Sequence, residues 1–235
     1  MKRLLLLAAL VMGLSSAMAQ SRPGTFSVIP KVGMTWAKLT DFDWAARLTK
    51  GTSHYSSSLE SARLKAGVLA GAEVEYQVTD MVSASLGAFY GLQGFYVPDY
   101  IVEDPVGTTG VEDMHLDLHY LNVPLMLQCY VFQGFAVKAG VQAGFLVSNR
   151  MKSENTRFEK DEDDEMKAVS SQKVDEEWKN LRSFDLSIPV GISYEYEHVV
   201  IDARYNIGLS KVFKDDSFPS RNSVFDLSVG YKFDL

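Results

Sequence analysis

The chain has 235 residues, 46% apolar and 23% charged, with one cysteine and a net charge of −7. That balance excludes collagenous and low-complexity chains and gives no global basic footprint for nucleic acid. It also leaves no second cysteine for an internal disulfide and no four-cysteine zinc site.

The N-terminus reads as an export signal. Lys2 and Arg3 form a positive start, Leu4 to Leu14 an apolar stretch, and Ala17-Met18-Ala19 a small-residue cleavage site, with Gln20 as the expected mature start. The stretch is shorter than the roughly 20 apolar residues that a membrane helix needs. The only cysteine, Cys129, lies far from the cleavage site, which argues against a lipid anchor. Residues 1–19 are therefore expected to be a signal peptide and residues 20–235 one domain. No later stretch is long and apolar enough for a membrane helix, so the exported chain is either soluble or a membrane β-barrel.

Beyond the signal the pattern is alternation of apolar and polar residues, the period-2 mark of strands. Eight segments show it: 25–37, 65–78, 82–96, 115–132, 135–148, 183–196, 199–210 and 223–235. Each reaches the 9–11 residues, roughly, that a tilted strand needs to cross a membrane. In 135–148, Phe135, Val137, Ala139, Val141, Ala143, Phe145 and Val147 oppose Lys138, Gly140, Gln142 and Gly144. In 115–132 the apolar face runs Leu116, Leu118, Tyr120 and then Leu121, Val123, Leu125, Leu127, a slip that predicts a β-bulge near Tyr120. Pro124 and Pro189 should disturb the ladder locally.

The apolar faces carry no charge. The opposite faces carry Lys31, Glu73, Glu75, Lys138, Asp185, Glu195, Asp202, Arg204, Asp226 and Lys232, together with many glycines. A soluble barrel keeps its apolar face inside. Here the apolar positions are too many for a small lumen, so apolar out and polar in, the membrane arrangement, is expected. Lys31, Glu73, Glu75, Lys138, Asp185, Asp202, Arg204 and Asp226 are then candidates for ion pairs filling the lumen, because eight strands leave a lumen just wide enough for side chains.

Three connections are tight: Thr79-Asp80-Met81, Gln133-Gly134 and Glu197-His198. The others, about 38–64, 97–114, 149–182 and 211–222, are long, and short and long alternate. This predicts an all-β, eight-stranded, antiparallel up-and-down transmembrane barrel with short periplasmic turns and long extracellular loops. Phe26, Tyr76, Phe135, Tyr194, Tyr196, Tyr231 and Phe233 fall toward the turn side. Trp36, Tyr90, Tyr96, Phe145 and Phe184 fall toward the loop side, as interfacial aromatics do.

Tyr120-Leu121-Asn122-Val123-Pro124-Leu125, Ile201-Asp202-Ala203-Arg204-Tyr205-Asn206-Ile207-Gly208-Leu209 and Val229-Gly230-Tyr231-Lys232-Phe233 resemble the PorT-like outer-membrane β-barrel family across essentially the whole mature chain. The resemblance implies a small, porin-like barrel in a Gram-negative outer membrane. The end of the chain, with Ser228, Gly230, Phe233 and Leu235, looks like the signal read by the barrel-assembly machinery, with Leu235 in place of the more usual Phe.

Candidate chemistry is sparse. His115, Asp117 and His119 share one face of a strand near its loop end, and polar decoration is the expected role. The acidic run Glu159 to Glu165, followed by Asp175-Glu176-Glu177, reads as a solvated surface loop without the pattern of an EF-hand. No phosphate loop, nucleophile elbow or HExxH motif is present. No catalytic, cofactor-binding or metal-binding residue is therefore assigned. The expected role is non-enzymatic display of extracellular loops in envelope integrity, adhesion or surface binding. Expected partners are outer-membrane lipid, lipopolysaccharide, the barrel-assembly machinery and a surface or secretion partner, with no nucleic acid. A secretion or assembly component, a narrow channel and a lipid- or peptide-processing barrel enzyme are the alternatives.

Overall fold

A computed structural model describes residues 21–40, 54–55, 63–97, 99–104, 107–160, 166–215 and 220–235. These residues form strands β1 (Phe26–Thr40), β2 (His54–Tyr55), β3 (Lys65–Gln77), β4 (Val82–Val97), β5 (Tyr100–Asp104), β6 (Gly107–Phe132), β7 (Phe135–Lys160), β8 (Met166–Glu176), β9 (Phe184–Tyr196), β10 (Val199–Gly208), β11 (Arg221–Tyr231) and β12 (Phe233–Asp234). Eight of them pair antiparallel in the order β1, β3, β4, β6, β7, β9, β10, β11. β11 returns to β1, from Lys31 opposite Gly230 to Thr40 opposite Arg221, and closes the ring. The predicted eight-stranded up-and-down barrel is the observed fold, and closure leaves it no edge within its wall.

The three tight connections are hairpins. Phe132 pairs with Phe135 around Gln133-Gly134, and Tyr196 pairs with Val199 around Glu197-His198. Gly134 sits at φ 73° and Glu197 at φ 55°, the left-handed backbone that two-residue hairpins require. In the third, the Thr79 hydroxyl accepts the amides of Met81 and Val82 at 3.2 and 3.0 Å. The Leu235 amide bonds Phe26 O at 2.8 Å, which places the end of the chain on this same turn side.

Alternation sorts the wall. Val32, Met34, Leu125, Leu127, Val141, Ile201 and Leu227 face outward and are exposed, while Lys31, Glu73, Lys138, Asp202 and Arg204 face inward and are buried. Aromatic pairs mark the rims. Phe26–Tyr76, Phe132–Phe135 and Tyr231–Phe233 lie at 4.7, 4.8 and 4.8 Å between ring centroids on the turn side. Trp36–Phe225 and Phe145–Phe184 lie at 5.8 and 5.7 Å on the loop side. The height between them is the apolar belt that lipid covers.

The pairing of β6 with β7 shifts between His119 and Tyr120, so a bulge does fall near Tyr120, but on the partner strand. β6 keeps one register against β4 from Val82 opposite Cys129 to Val97 opposite Met114, and Met114, Leu116, Leu118 and Tyr120 point inward with Asn122 and Met126. At this height the extra residue is on β7: His119 pairs with Ser148 and Tyr120 with Leu146, so Val147 is the bulged residue, while two further shifts, between Glu112 and His115 and between Tyr130 and Phe132, put the extra residue on β6. The apparent slip in β6 is a change in what fills the lumen at that height. The prolines behave as expected. Pairing of β4 with β6 lapses opposite Pro124, pairing of β7 with β9 lapses opposite Pro189, and both resume in the same register. Each proline lacks its amide on one ladder only.

A second correction concerns the loops at 97–114 and 149–182. β6 and β7 run on past the barrel as one long hairpin, β5 adds to β6 and β8 to β7, and β2 pairs with β5. The result is a five-stranded extracellular sheet in the order β2-β5-β6-β7-β8. The segments 151–157 and 170–176 are dominated by polar and charged residues without a regular apolar alternation, so the period-2 pattern gave no sign of them. Pairing there rests on the ladder and on cross-strand charges such as Glu154 opposite Lys173, 3.6 Å apart. Of the acidic run, residues 161–165 lie outside the described residues.

Candidate functional site

The lumen is filled in layers, from the turn side upward. In the lowest, Lys232 Nζ donates to Glu75 Oε1 at 2.8 Å and Glu195 Oε2 at 3.1 Å. Gln128 Nε2 and the Tyr130 hydroxyl add donors to Glu75 at 2.6 and 3.2 Å.

Above it, three cations meet two carboxylates. Lys31 Nζ lies 2.5 Å from Glu73 and 3.1 Å from Asp202. Lys138 pairs closely with Asp202 and lies 3.8 Å from Glu73. Arg204 Nη2 is 3.4 Å from Asp202 and 3.6 Å from Glu73, and its guanidinium lies 5.8 Å from the Phe89 ring. Asn206 Nδ2 donates to Asp226 Oδ2 at 2.6 Å beside them. The side chains of Lys31, Glu73 and Lys138 are 1% exposed. Charges so far from water persist only when paired and hydrogen-bonded, and losing one partner strands the rest. Glycine makes the room: at Gly71 a Cβ would run into the Phe89 side chain and the Ala88 backbone, and at Gly140 into the Leu125 backbone.

The layer nearest the loops is apolar. Leu39, Phe95, Val97, Met114, Leu116, Leu118, Tyr120, Leu181, Val212 and Phe213 form one buried cluster, with Trp178 against it. Two connecting segments cross the mouth and hold it shut. Arg182 N bonds Val212 O at 2.8 Å, Arg182 Nε bonds Phe213 O at 3.0 Å, and the Trp178 amide bonds Asn149 Oδ1 at 2.7 Å. A cavity within the lumen, lined by Lys31, Phe89, Asn122, Asp202, Arg204 and Asp226, has room for about one water.

At the outer rim, above the belt, Asp117 pairs closely with Lys65, lies 3.3 Å from Lys152 and 3.9 Å from His115. Burial pushes its carboxyl up, but the hydrogen bond and charge of Lys65, with His115 and Lys152, outweigh burial and leave it below the ordinary aspartate range. His119 Nδ1 lies 2.5 Å from the Tyr90 hydroxyl. Among the described residues no three metal-ligating side chains converge.

Of the lumen candidates read from sequence, Lys31, Glu73, Lys138, Asp202 and Arg204 share one network, with Asp226 at its margin. Glu75 belongs to the lower layer. Asp185 stands apart and accepts the Ser210 hydroxyl at 2.7 Å. Glu195 and Lys232 share the inward parity of the candidates and complete the lower layer, whereas Tyr130 and Phe89 carried no charge to single them out. Gly230 pairs with Lys31 in the closing ladder, Phe233 is outward on β12, and Leu235 is exposed at the rim. Ala17, Ala19 and Gln20 lie outside the described residues.

A closed ring with an apolar exterior, aromatic rims and a polar, filled lumen defines an integral outer-membrane β-barrel. The chain belongs to the family described as outer membrane protein beta-barrel domain, which matches residues 18–214. Among solved structures it is similar to Ail, the attachment invasion locus protein of Yersinia pestis, with 14% identity over 90% of this chain and 99% of that one and a TM-score of 0.43. It is also similar to the outer membrane protein OprG of Pseudomonas aeruginosa, with 16% identity over 92% and 99% and a TM-score of 0.38. The N-terminal β-barrel domain of Pseudomonas aeruginosa OprF aligns with 14% identity over 91% and 100% and a TM-score of 0.33. No curated protein matches the chain.

Proposed function

We propose that this chain is a non-enzymatic, non-conducting barrel that serves as a rigid outer-membrane stem for a surface-binding extracellular sheet. The carrying observation is the lumen, closed twice over: Lys31, Lys138 and Arg204 interlock with Glu73 and Asp202, and the Phe95–Leu118–Phe213 cluster covers them. An ion crossing this lumen would have to break buried charge pairs and then enter an apolar layer, and both steps are costly. This weighs against the narrow channel. Against an enzyme, Asp117 is engaged by Lys65 and Lys152, and His119 sits beside Tyr90 rather than beside a nucleophile.

In this reading residues 1–19 are an export signal, cut between Ala19 and Gln20. The outward strand faces meet outer-membrane lipid and lipopolysaccharide. Gly230, Phe233 and Leu235 are the end read by the barrel-assembly machinery. The 120–125 and 201–209 stretches support placement in the PorT-like subgroup.

The test is conductance. The refolded protein, shown to migrate as a compact heat-modifiable band, is added to planar bilayers. The proposal expects no unitary steps above those of detergent alone. Reproducible steps from the compact form would overturn it and favour the channel.

A further inference from the structure

β8 pairs with β7 along one edge, and among the described residues no strand covers the other. It has 11 residues, about 36 Å of backbone. Half the backbone donors and acceptors of an edge strand point away from its sheet and can template another strand. Ser170 to Lys173 are exposed, as is Val169 at 53%.

The sequence of this edge is self-complementary. Set antiparallel to a copy of itself about Ser171, it places Lys167 opposite Asp175 twice, Ala168 opposite Val174, Ser170 opposite Gln172, Val169 opposite Lys173 and Met166 opposite Glu176, with no like charges facing each other. Moving the centre to Ser170 sets Lys167 opposite Lys173, and moving it to Gln172 leaves β8 with no opposite-charge pair, Asp175 then facing Val169 and Glu176 facing Ala168. Opposite charges directly across a ladder stabilise it and like charges destabilise it, so the Ser171-centred register is favoured. Asp175 is already 3.3 Å from Arg150, with both side chains more than half exposed, and has room to be shared.

Geometry then fixes which copies meet. Two barrels in one membrane are related by rotation about the membrane normal, so both β8 strands keep the same sense along it and cannot become antiparallel. Barrels in facing membranes point at each other, and their β8 strands run in opposite senses.

We propose that two copies of this chain, in opposed membranes, join edge to edge through antiparallel β8 strands centred on Ser171. The proposal rests on the surface-binding reading above and names its partner as a second copy of this chain.

The experiment mixes two colours of liposomes carrying the full-length mature protein and measures two-colour association. Wild-type vesicles should associate. Lys167→Asp puts Asp opposite Asp at both ends, and Asp175→Lys puts Lys opposite Lys, so each variant alone should associate about tenfold less. Lys167→Asp vesicles mixed with Asp175→Lys vesicles restore both pairs and should return to within about twofold of wild type. Should the charge changes loosen the sheet, Ala168→Lys and Val174→Asp vesicles test the same register by the same mixing. Dispersed wild-type vesicles, or single variants that associate like wild type, would overturn the proposal. The stem reading would survive that result if the protein stayed heat-modifiable and non-conducting, and would fall separately if it conducted.

Discussion

β6 and β7 each live in two environments. Where β6 pairs with β4, up to Met114, and β7 with β9, up to Phe145, they are barrel wall around a filled lumen; beyond, they pair with each other and with β5 and β8 in the extracellular sheet. The backbone is the same strand throughout, yet the sequence changes character at the boundary. Within the wall Leu121, Val123, Leu125 and Leu127 alternate with Asn122, Met126 and Gln128; beyond it Lys152, Ser153, Glu154 and Asn155 do not alternate. Alternation therefore reports the solvent on each face rather than the presence of a strand. The energetics differ in the same way. Charge pairs in the wall are buried and mutually dependent, whereas those in the sheet are exposed and individually weak.

That contrast can be broken most directly in the lumen. Asp202→Ala removes one of the two carboxylates that Lys31, Lys138 and Arg204 share, and should cost about 3–5 kcal/mol, read as a lowered urea midpoint of the heat-modifiable form. Phe213→Ala opens the apolar layer and should cost about 3 kcal/mol by the same assay.

At the boundary, Asp117 gives a pH-dependent term. Its folded carboxyl lies below the ordinary value, so its contribution is complete above about pH 4 and is lost as the pH falls through the lowered value. With solvent screening it amounts to about 1 kcal/mol or less. The stability difference between wild type and Asp117→Asn should be constant near neutral pH and shrink in acid; a difference that grows in acid would contradict the pairing. In the sheet, Asp175→Ala removes the exposed Arg150 pair and should shift the midpoint by less than about 0.5 kcal/mol.

The sequence carried the wall almost completely, because lipid and lumen impose opposite demands on alternate residues of every strand. Strand parity also placed Lys31, Glu73, Lys138, Asp202 and Arg204 on one side, and closure of the ring brings them together. It could not separate Asp185 from them, since height in the lumen depends on register between distant strands. That the bulge near Tyr120 belongs to β7 rather than to β6 has a related cause. Leu116, Leu118 and Tyr120 are apolar because they face an apolar layer built from residues as remote as Phe95 and Phe213, and a strand read alone cannot tell an inward apolar residue from a flipped one. β8 went unread because exposed polar strands and loops share a composition.

The measurement that bears most directly on this account is residue-level hydrogen exchange of the protein in lipid nanodiscs, comparing the wall with its continuation. Slow exchange in the wall strands, together with intermediate protection at 107–112, 151–160 and 166–176, is the predicted result, because ladder bonds exist in both regions but only the wall is shielded from water. Exchange at 151–160 and 166–176 as fast as in an unstructured peptide would contradict it, and β6 and β7 would then end at the membrane surface.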